Sequence, residues 1–402
     1  MADEVSRDSV ILSAVRTPTG VFRGSLSKIP APELGAIVIR EAVQRAGIKD
    51  PSQIAEVLMG NVVMAGLGQN PARQAAILSG LPTSVGATTI NKVCGSGLKT
   101  VMLAASAIKA GDGELYVAGG MENMSRAPYL VYGRLGELKY GNEQMQDALI
   151  RDGLWDAIED WAMGEAAEFI SEQFSITRQA MDEWAYHSHQ KAIAAHDAGK
   201  FKAEIVPVEI PNKNGGATII QQDETFRRDT NLEILNSLKP SFIPDGKVTA
   251  GNSPGLNDGA AALVIASRSW AEQAGVKPVA SIVGYLQHAV EPRFIFTAPA
   301  QAIPALLDQI GWDLAEVDLI ELNEAFAAQV LADGHALQEI GWDWDKVNVH
   351  GGAIALGHPL GASGAKVLTT LIHALEDRQG KRGMAILCLG GGEAVALAIE
   401  ME

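Results

Sequence analysis

The chain has two cysteines, Cys94 and Cys388, and each sits against glycine-rich backbone. Cys94 lies in Asn91-Lys92-Val93-Cys94-Gly95-Ser96-Gly97, just ahead of an alanine-rich helical run. A strand-to-helix turn of this kind puts a thiol beside the unpaired N–H groups and positive end of a helix, which favours the thiolate. Free cysteine is also commonly a small buried hydrophobe. Gly95 and Gly97, which let another molecule approach the backbone, favour the chemical role. Cys388 closes an apolar strand-like run and precedes Leu389-Gly390-Gly391-Gly392, whose successive N–H groups can hold an oxyanion. On local features a core cysteine at a strand end fits it equally well. His358 stands among the small residues of Gly351–Gly364, off any amphipathic face, where an imidazole can take a proton from a cysteine. Asn323, in Asn323-Glu324-Ala325-Phe326-Ala327, reads as a helix cap or as the holder of a water or substrate carbonyl. His187, His189 and His196 fall along one charged helix and read as solvated rather than as metal ligands.

The elements that must position these groups alternate. Strands are expected at 10–14, 54–61, 87–93 and 115–118, with helices at 32–46, 72–79 and 97–110 between them. The C-terminal part repeats the order: a strand at 316–322, a helix from about 325, an extended stretch at 347–349, a helix at 364–376, and strands at 384–389 and 394–400. This reads as a weak internal duplication of an α/β unit, a sheet covered by helices. Residues 125–255 break the rhythm, with helices near 162–174 and 178–198 and Pro- and Gly-rich extended structure at 199–216. They read as an inserted subdomain that caps a site and binds substrate.

At 402 residues the chain exceeds one core, so two or three domains are expected. A net charge of −16 with no basic run sets nucleic-acid binding aside. An anionic substrate would have to meet local cations. Two cysteines exclude a disulfide framework, and no Cys-x-x-Cys pair offers a zinc site. The N-terminus, Met1 to Asp8, is acidic and lacks an apolar segment, and no stretch approaches bilayer length, so a cytoplasmic protein is expected.

Six segments, in order over nearly the whole chain, resemble the thiolase family: NKVCGSGLK (91–99), GGMENMSRAP (119–128), TAGNSPGLNDGA (249–260), NEAFA (323–327), GGAIALGHPLGASG (351–364) and CLGGG (388–392). The likeness is greatest to the tetrameric, acetoacetyl-CoA-specific branch. It implies an α/β fold of duplicated halves forming a five-layered αβαβα core, with an inserted loop domain that holds coenzyme A. The N-terminal half would be 1–125 plus 256–278, the loop domain 126–255 and the C-terminal half 279–402. It also implies roles. Cys94 would be the acylated nucleophile and His358 the acceptor of its proton. Cys388 would be the acid/base for the α-proton of a second acetyl-CoA. Asn323 would hold a water that, with His358, stabilises the enolate, and the N–H groups of Cys94 and Gly390 would hold the tetrahedral oxyanion. Arg227 would lie near the adenine with Phe242 close by, and Leu154, Met163, Ala250 and Phe326 would line the pantetheine tunnel. The implied substrates are acetyl-CoA, other acyl-CoA thioesters and free CoA, with no prosthetic group, no metal, no nucleic-acid or membrane partner, and a homo-oligomer, tetramer or dimer.

The chain departs from the family pattern at Ala162, where the family often has His, and at Pro254, where it often has Ser. Phe296 stands where a glycine is usual, and Glu393-Ala394 where Gln or Met followed by Gly is common. These departures leave Cys94, His358, Cys388 and Asn323 untouched and bear on affinity and acyl-chain preference. Two other readings keep the fold: a thiolase for longer or branched 3-ketoacyl-CoA, and a drifted CoA-binding scaffold. A ketoacyl-synthase-like enzyme is disfavoured by Cys388, since such enzymes usually lack a second catalytic cysteine.

Overall fold

The computed structural model describes residues 7–133, 142, 144–212 and 214–402. In chain order the first half supplies β1 (Ser9–Arg16), α1 (Ala31–Arg45), β2 (Glu56–Gly60), α2 (Pro71–Leu78), β3 (Gly86–Ile90), α3 (Ser96–Ala110) and β4 (Leu115–Asn123). After two helices, α4 (Met163–Gln173) and α5 (Arg178–Asp197), β5 (Asn257–Ser267) returns to the sheet. The second half supplies β6 (Ala280–Ala289), α6 (Ala298–Ile310), β7 (Leu319–Leu322), α7 (Ala327–Ala336), α8 (Leu360–Arg378), β8 (Arg382–Leu389) and β9 (Glu393–Met401).

The strands run β3-β2-β4-β5-β1 in the first half and β7-β8-β9-β6 in the second. In the first half β2 is parallel to β3 and β4, and β5 is antiparallel to both β4 and β1. In the second, β7 is parallel to β8, β8 antiparallel to β9, and β9 antiparallel to β6. Val347 adds a parallel bridge to Ile320, at the place β3 holds beside β2. The same order and directions occur twice, so the duplication read from the element order is present in three dimensions. The two halves of the sheet join along a short seam, Val10 opposite Ser281 and Ile11 opposite Ala280.

Alternation along the strands builds the layers, because successive side chains point to opposite faces. Val10, Leu12 and Val15 of β1 join a core with α1 and α2 on one face. Ile11 and Ala14 join a second core, which gathers α3 and α8 between strands of both halves. A third core packs α6 on the outer face of β8 and β9. Helix, sheet, helices, sheet, helix is the resulting five-layer order. The central layer must be apolar all round, and α3 and α8 accordingly bury residues on most of their surface.

Several boundaries differ from the sequence expectation in ways that matter for the site. The strand expected to run into Cys94 stops at Ile90, and the strand from Leu115 continues to Asn123. The helix expected from 364 begins at Leu360, so His358 lies two residues before a helix N-terminus.

Candidate active site

Glycines bring the two central helices into backbone contact. A Cβ on Gly97 would lie 2.7 Å from the backbone nitrogen of Ala365, and one on Gly364 would lie 2.3 Å from that of Leu98. No side chain fits at either crossing point, so only this pairing lets the N-terminal ends of α3 and α8 meet. Those ends carry Cys94 and the His358 loop.

Cys94 occupies a tight elbow between β3 and α3. Val93 has φ 46°, a left-handed conformation that a β-branched residue rarely adopts. It is held by hydrogen bonds. The Val93 N–H donates to Asn91 Oδ1 at 3.0 Å, the Lys92 N–H donates to Ser96 Oγ at 2.8 Å, and Ser96 Oγ donates to the Val93 carbonyl at 2.6 Å. The N–H groups of Cys94 itself and of Gly390 are directed at its sulfur and favour the thiolate. Burial outweighs them and, with the Glu122 carboxyl behind the elbow, pushes the thiol up to about 12. The helix N-terminus was expected to hold Cys94 as a thiolate; desolvation wins, and the resting group is a thiol.

His358 is buried, and its partners define its tautomer. Ser363 Oγ donates to the Pro359 carbonyl at 2.9 Å and lies 2.6 Å from His358 Nδ1. With its one hydrogen committed, the hydroxyl accepts from Nδ1–H. The lone pair is then on Nε2, which is buried and has no protein partner. Burial, and then the charge of Lys366, bring the imidazole down to about 3, so it is neutral and free to accept a proton. Cys388, one residue before the end of β8, is 1% exposed, its thiol raised by burial and by the nearby Cys94 and Asp333. Asn323 follows β7 and does not cap α7, whose N-cap is Phe326. Both polar atoms of its side chain are buried and unpartnered. Such atoms are costly unless a small polar molecule completes them.

Cys94, His358, Cys388 and Gly390 line one cavity of about 490 Å³. Leu154, Met163, Phe242 and Phe326 line it too, with Ala162, Pro254 and Phe296. Arg227 and Ala250 lie elsewhere, on a second cavity of about 320 Å³ that shares Ser253, Gly255 and Leu256 with the first. The two cavities thus adjoin, one carrying the reactive groups and the other Arg227. Phe296 is 2% exposed and packs edge-on against Phe326, ring centroids 5.4 Å apart. Glu393 pairs with Lys92 at 2.6 Å, next to the Cys94 elbow.

Three features escaped sequence reasoning. Ser363 orients His358, five residues away on the same glycine-rich segment. Glu122 is fully buried and accepts N–H groups from Val62, Val63 and Gly361, tying the Cys94 side of the cavity to the start of α8. His189 is not solvated as expected: it is 4% exposed and its Nδ1 accepts the Arg227 N–H at 3.1 Å. The helix it sits on is charged, but its inner face packs against the loop that carries Arg227.

The α/β architecture brings two thiols and an imidazole to one cavity, and comparison gives the family. The thiolase N-terminal domain model matches residues 9–269 and the thiolase C-terminal domain model residues 276–401; the chain belongs to the thiolase family. An acetyl-CoA acetyltransferase of Cupriavidus necator is 52% identical over 395 residues, covering 98% of this chain and 100% of that protein. One of Pseudomonas aeruginosa is 51% identical over 396 residues, covering 98% and 100%. The crystal structure of the Bacillus anthracis acetyl-CoA acetyltransferase superposes with a TM-score of 0.95 at 41% identity, covering 100% of both chains.

Proposed function

We propose that this protein is an acetyl-CoA C-acetyltransferase, making and cleaving acetoacetyl-CoA through an acyl group carried on Cys94. The observation that carries the reading is the meeting of two thiols and a neutral imidazole with a free Nε2 in one cavity. In this reading His358 takes the Cys94 proton as the sulfur attacks the thioester carbon, and coenzyme A leaves. The N–H groups of Cys94 and Gly390, already directed at that sulfur, stabilise the tetrahedral oxyanion. The departing coenzyme A thiolate takes the Cys388 proton, and the Cys388 thiolate so formed removes the α-proton of a second acetyl-CoA. The resulting carbanion attacks the acyl carbon, and the Cys94 sulfur leaves and takes its proton back from His358. His358 Nε2 and a water on Asn323 stabilise the enolate oxygen. Acyl transfer between sulfurs conserves the thioester, so the reaction is reversible.

Coenzyme A thioesters enter as substrates along the adjoining cavities, with Arg227 and Phe242 toward the nucleotide end and Leu154, Met163, Ala250 and Phe326 along the pantetheine. We assign 126–255 as the coenzyme-A-binding loop domain, between an N-terminal half of 1–125 plus 256–278 and a C-terminal half of 279–402. The junction of the two matched family domains, at 269–276, supports the last boundary. A homotetramer built as a dimer of dimers in the cytoplasm, serving fatty-acid metabolism, completes the reading; no described helix is long and apolar enough to cross a membrane. The intact reactive groups weigh against a scaffold without catalysis.

Peptide mass mapping after brief exposure to acetyl-CoA tests the assignment. Acetyl is expected on Cys94, and acetylation only elsewhere refutes it. Cys388→Ala is expected to acylate normally and to condense barely; normal condensation removes Cys388 from the mechanism.

A further inference from the structure

Lys366 is the one lysine buried among the described residues, 7% exposed on α8, two turns after His358. Its ammonium donates to the carbonyls of Leu356 at 2.7 Å and Gly357 at 2.9 Å, the two residues that precede His358. The loop needs such a hold, because Gly357 is left-handed at φ +83° and Ala353–Leu356 make only a single short turn. We infer that Lys366 is a positioning residue for His358, clamping the backbone that carries the imidazole and placing a positive charge behind it. The inference rests on the acyl-transfer reading above only for what His358 does.

The charge environment is crowded. From β1, Arg16 faces the cluster, fully buried and paired to Glu204 at 2.6 Å and to both oxygens of Asp223 at 2.7 and 2.8 Å. Glu321 approaches from β7, and His358 from the loop. Arg16 occupies both oxygens of Asp223 and one of Glu204, so Lys366 spends its hydrogen bonds on the catalytic loop rather than on a carboxylate. Burial and the Arg16 charge bring its ammonium down to about 8 despite the three anions. Folded below its unfolded value, this group costs stability below pH 8, and the cost disappears as pH rises toward the ordinary lysine range. A buried cation that destabilises the fold is retained here for what it holds. Its effect on catalysis has a definite sign. A positive charge near the imidazole disfavours the imidazolium, so His358 stays a proton acceptor at neutral and mildly acidic pH, as the N-terminal end of α8 also favours.

The test compares Lys366→Met, Lys366→Gln and Lys366→Arg with the wild-type enzyme. In acetoacetyl-CoA thiolysis the neutral variants are expected to lose roughly tenfold to a hundredfold in kcat with little change in KM, as a misplaced catalytic group does. Their acid limb should move to higher pH, and Lys366→Arg should restore both. An unchanged kcat and acid limb in a folded neutral variant overturns the inference. Selectively labelled His358 gives a second readout that needs no neutral variant to fold. In the wild-type protein its ring resonances should show an inflection near pH 8 that Lys366→Arg removes. Absence of that inflection also overturns the inference. An inactive wild-type enzyme would instead refute the functional reading and leave the resonance test standing.

Discussion

Truncating Phe296 to alanine should widen the acyl end of the cavity. The ring is 2% exposed, lines the cavity beside Cys94 and Cys388, and meets Phe326 edge-on at 5.4 Å. Loss of the ring pair removes about 0.5–1.5 kcal/mol. The full truncation should cost roughly 3–5 kcal/mol, toward the lower end because one side of the ring already borders open space. The space released joins the cavity rather than forming a sealed void, so a longer acyl chain can fill it. Each methylene buried there is worth about 0.8 kcal/mol, and two give roughly 1.6 kcal/mol, a little over tenfold in relative kcat/KM. The assay is competitive thiolysis of acetoacetyl-CoA and 3-ketohexanoyl-CoA by wild type and Phe296→Ala, with thermal denaturation as the stability control. An unchanged ratio in a folded variant would refute the claim that Phe296 bounds the acyl pocket.

Two further substitutions probe the supports of the site. Ser363→Ala removes the acceptor of His358 Nδ1–H, so kcat should fall roughly tenfold with KM nearly constant, while an unaltered kcat would exclude the tautomer argument. Arg16→Met strands Glu204 and Asp223, both buried, and denaturant titration should show a loss of roughly 3–5 kcal/mol; a loss under 1 kcal/mol would mean that the carboxylates find other partners.

Much of the fold was legible because its signals are local. The helix at 97–110 and the strand at 384–389 announce themselves by apolar pattern. The strands β5 and β6 were not read: β5 is buried at every position, so its apolar run carries no alternation, while β6 alternates buried and half-buried residues over only its first half and ends in half-buried and exposed positions. The extended stretch 347–349 adds only the Val347 bridge to the sheet, since the chain must turn at once into the His358 loop.

Residue types and spacing determined which groups are able to react: two thiols and an imidazole on glycine-rich turns, an asparagine after a strand, and a chain too acidic for nucleic acid. They also carried the family, because six separate motifs occur in order. Tertiary structure alone decided that the two thiols and the imidazole share a cavity, since Cys94 and His358 are 264 positions apart and only the glycine-lined crossing of α3 with α8 closes that gap. It also decided their protonation. A helix N-terminus seen in sequence argues for a thiolate, but the desolvation that makes Cys94 a thiol comes from layers contributed by the whole chain. The same holds for Ser363, Glu122 and Lys366: each is an ordinary residue in the sequence, and its function is set by the distant backbone it meets.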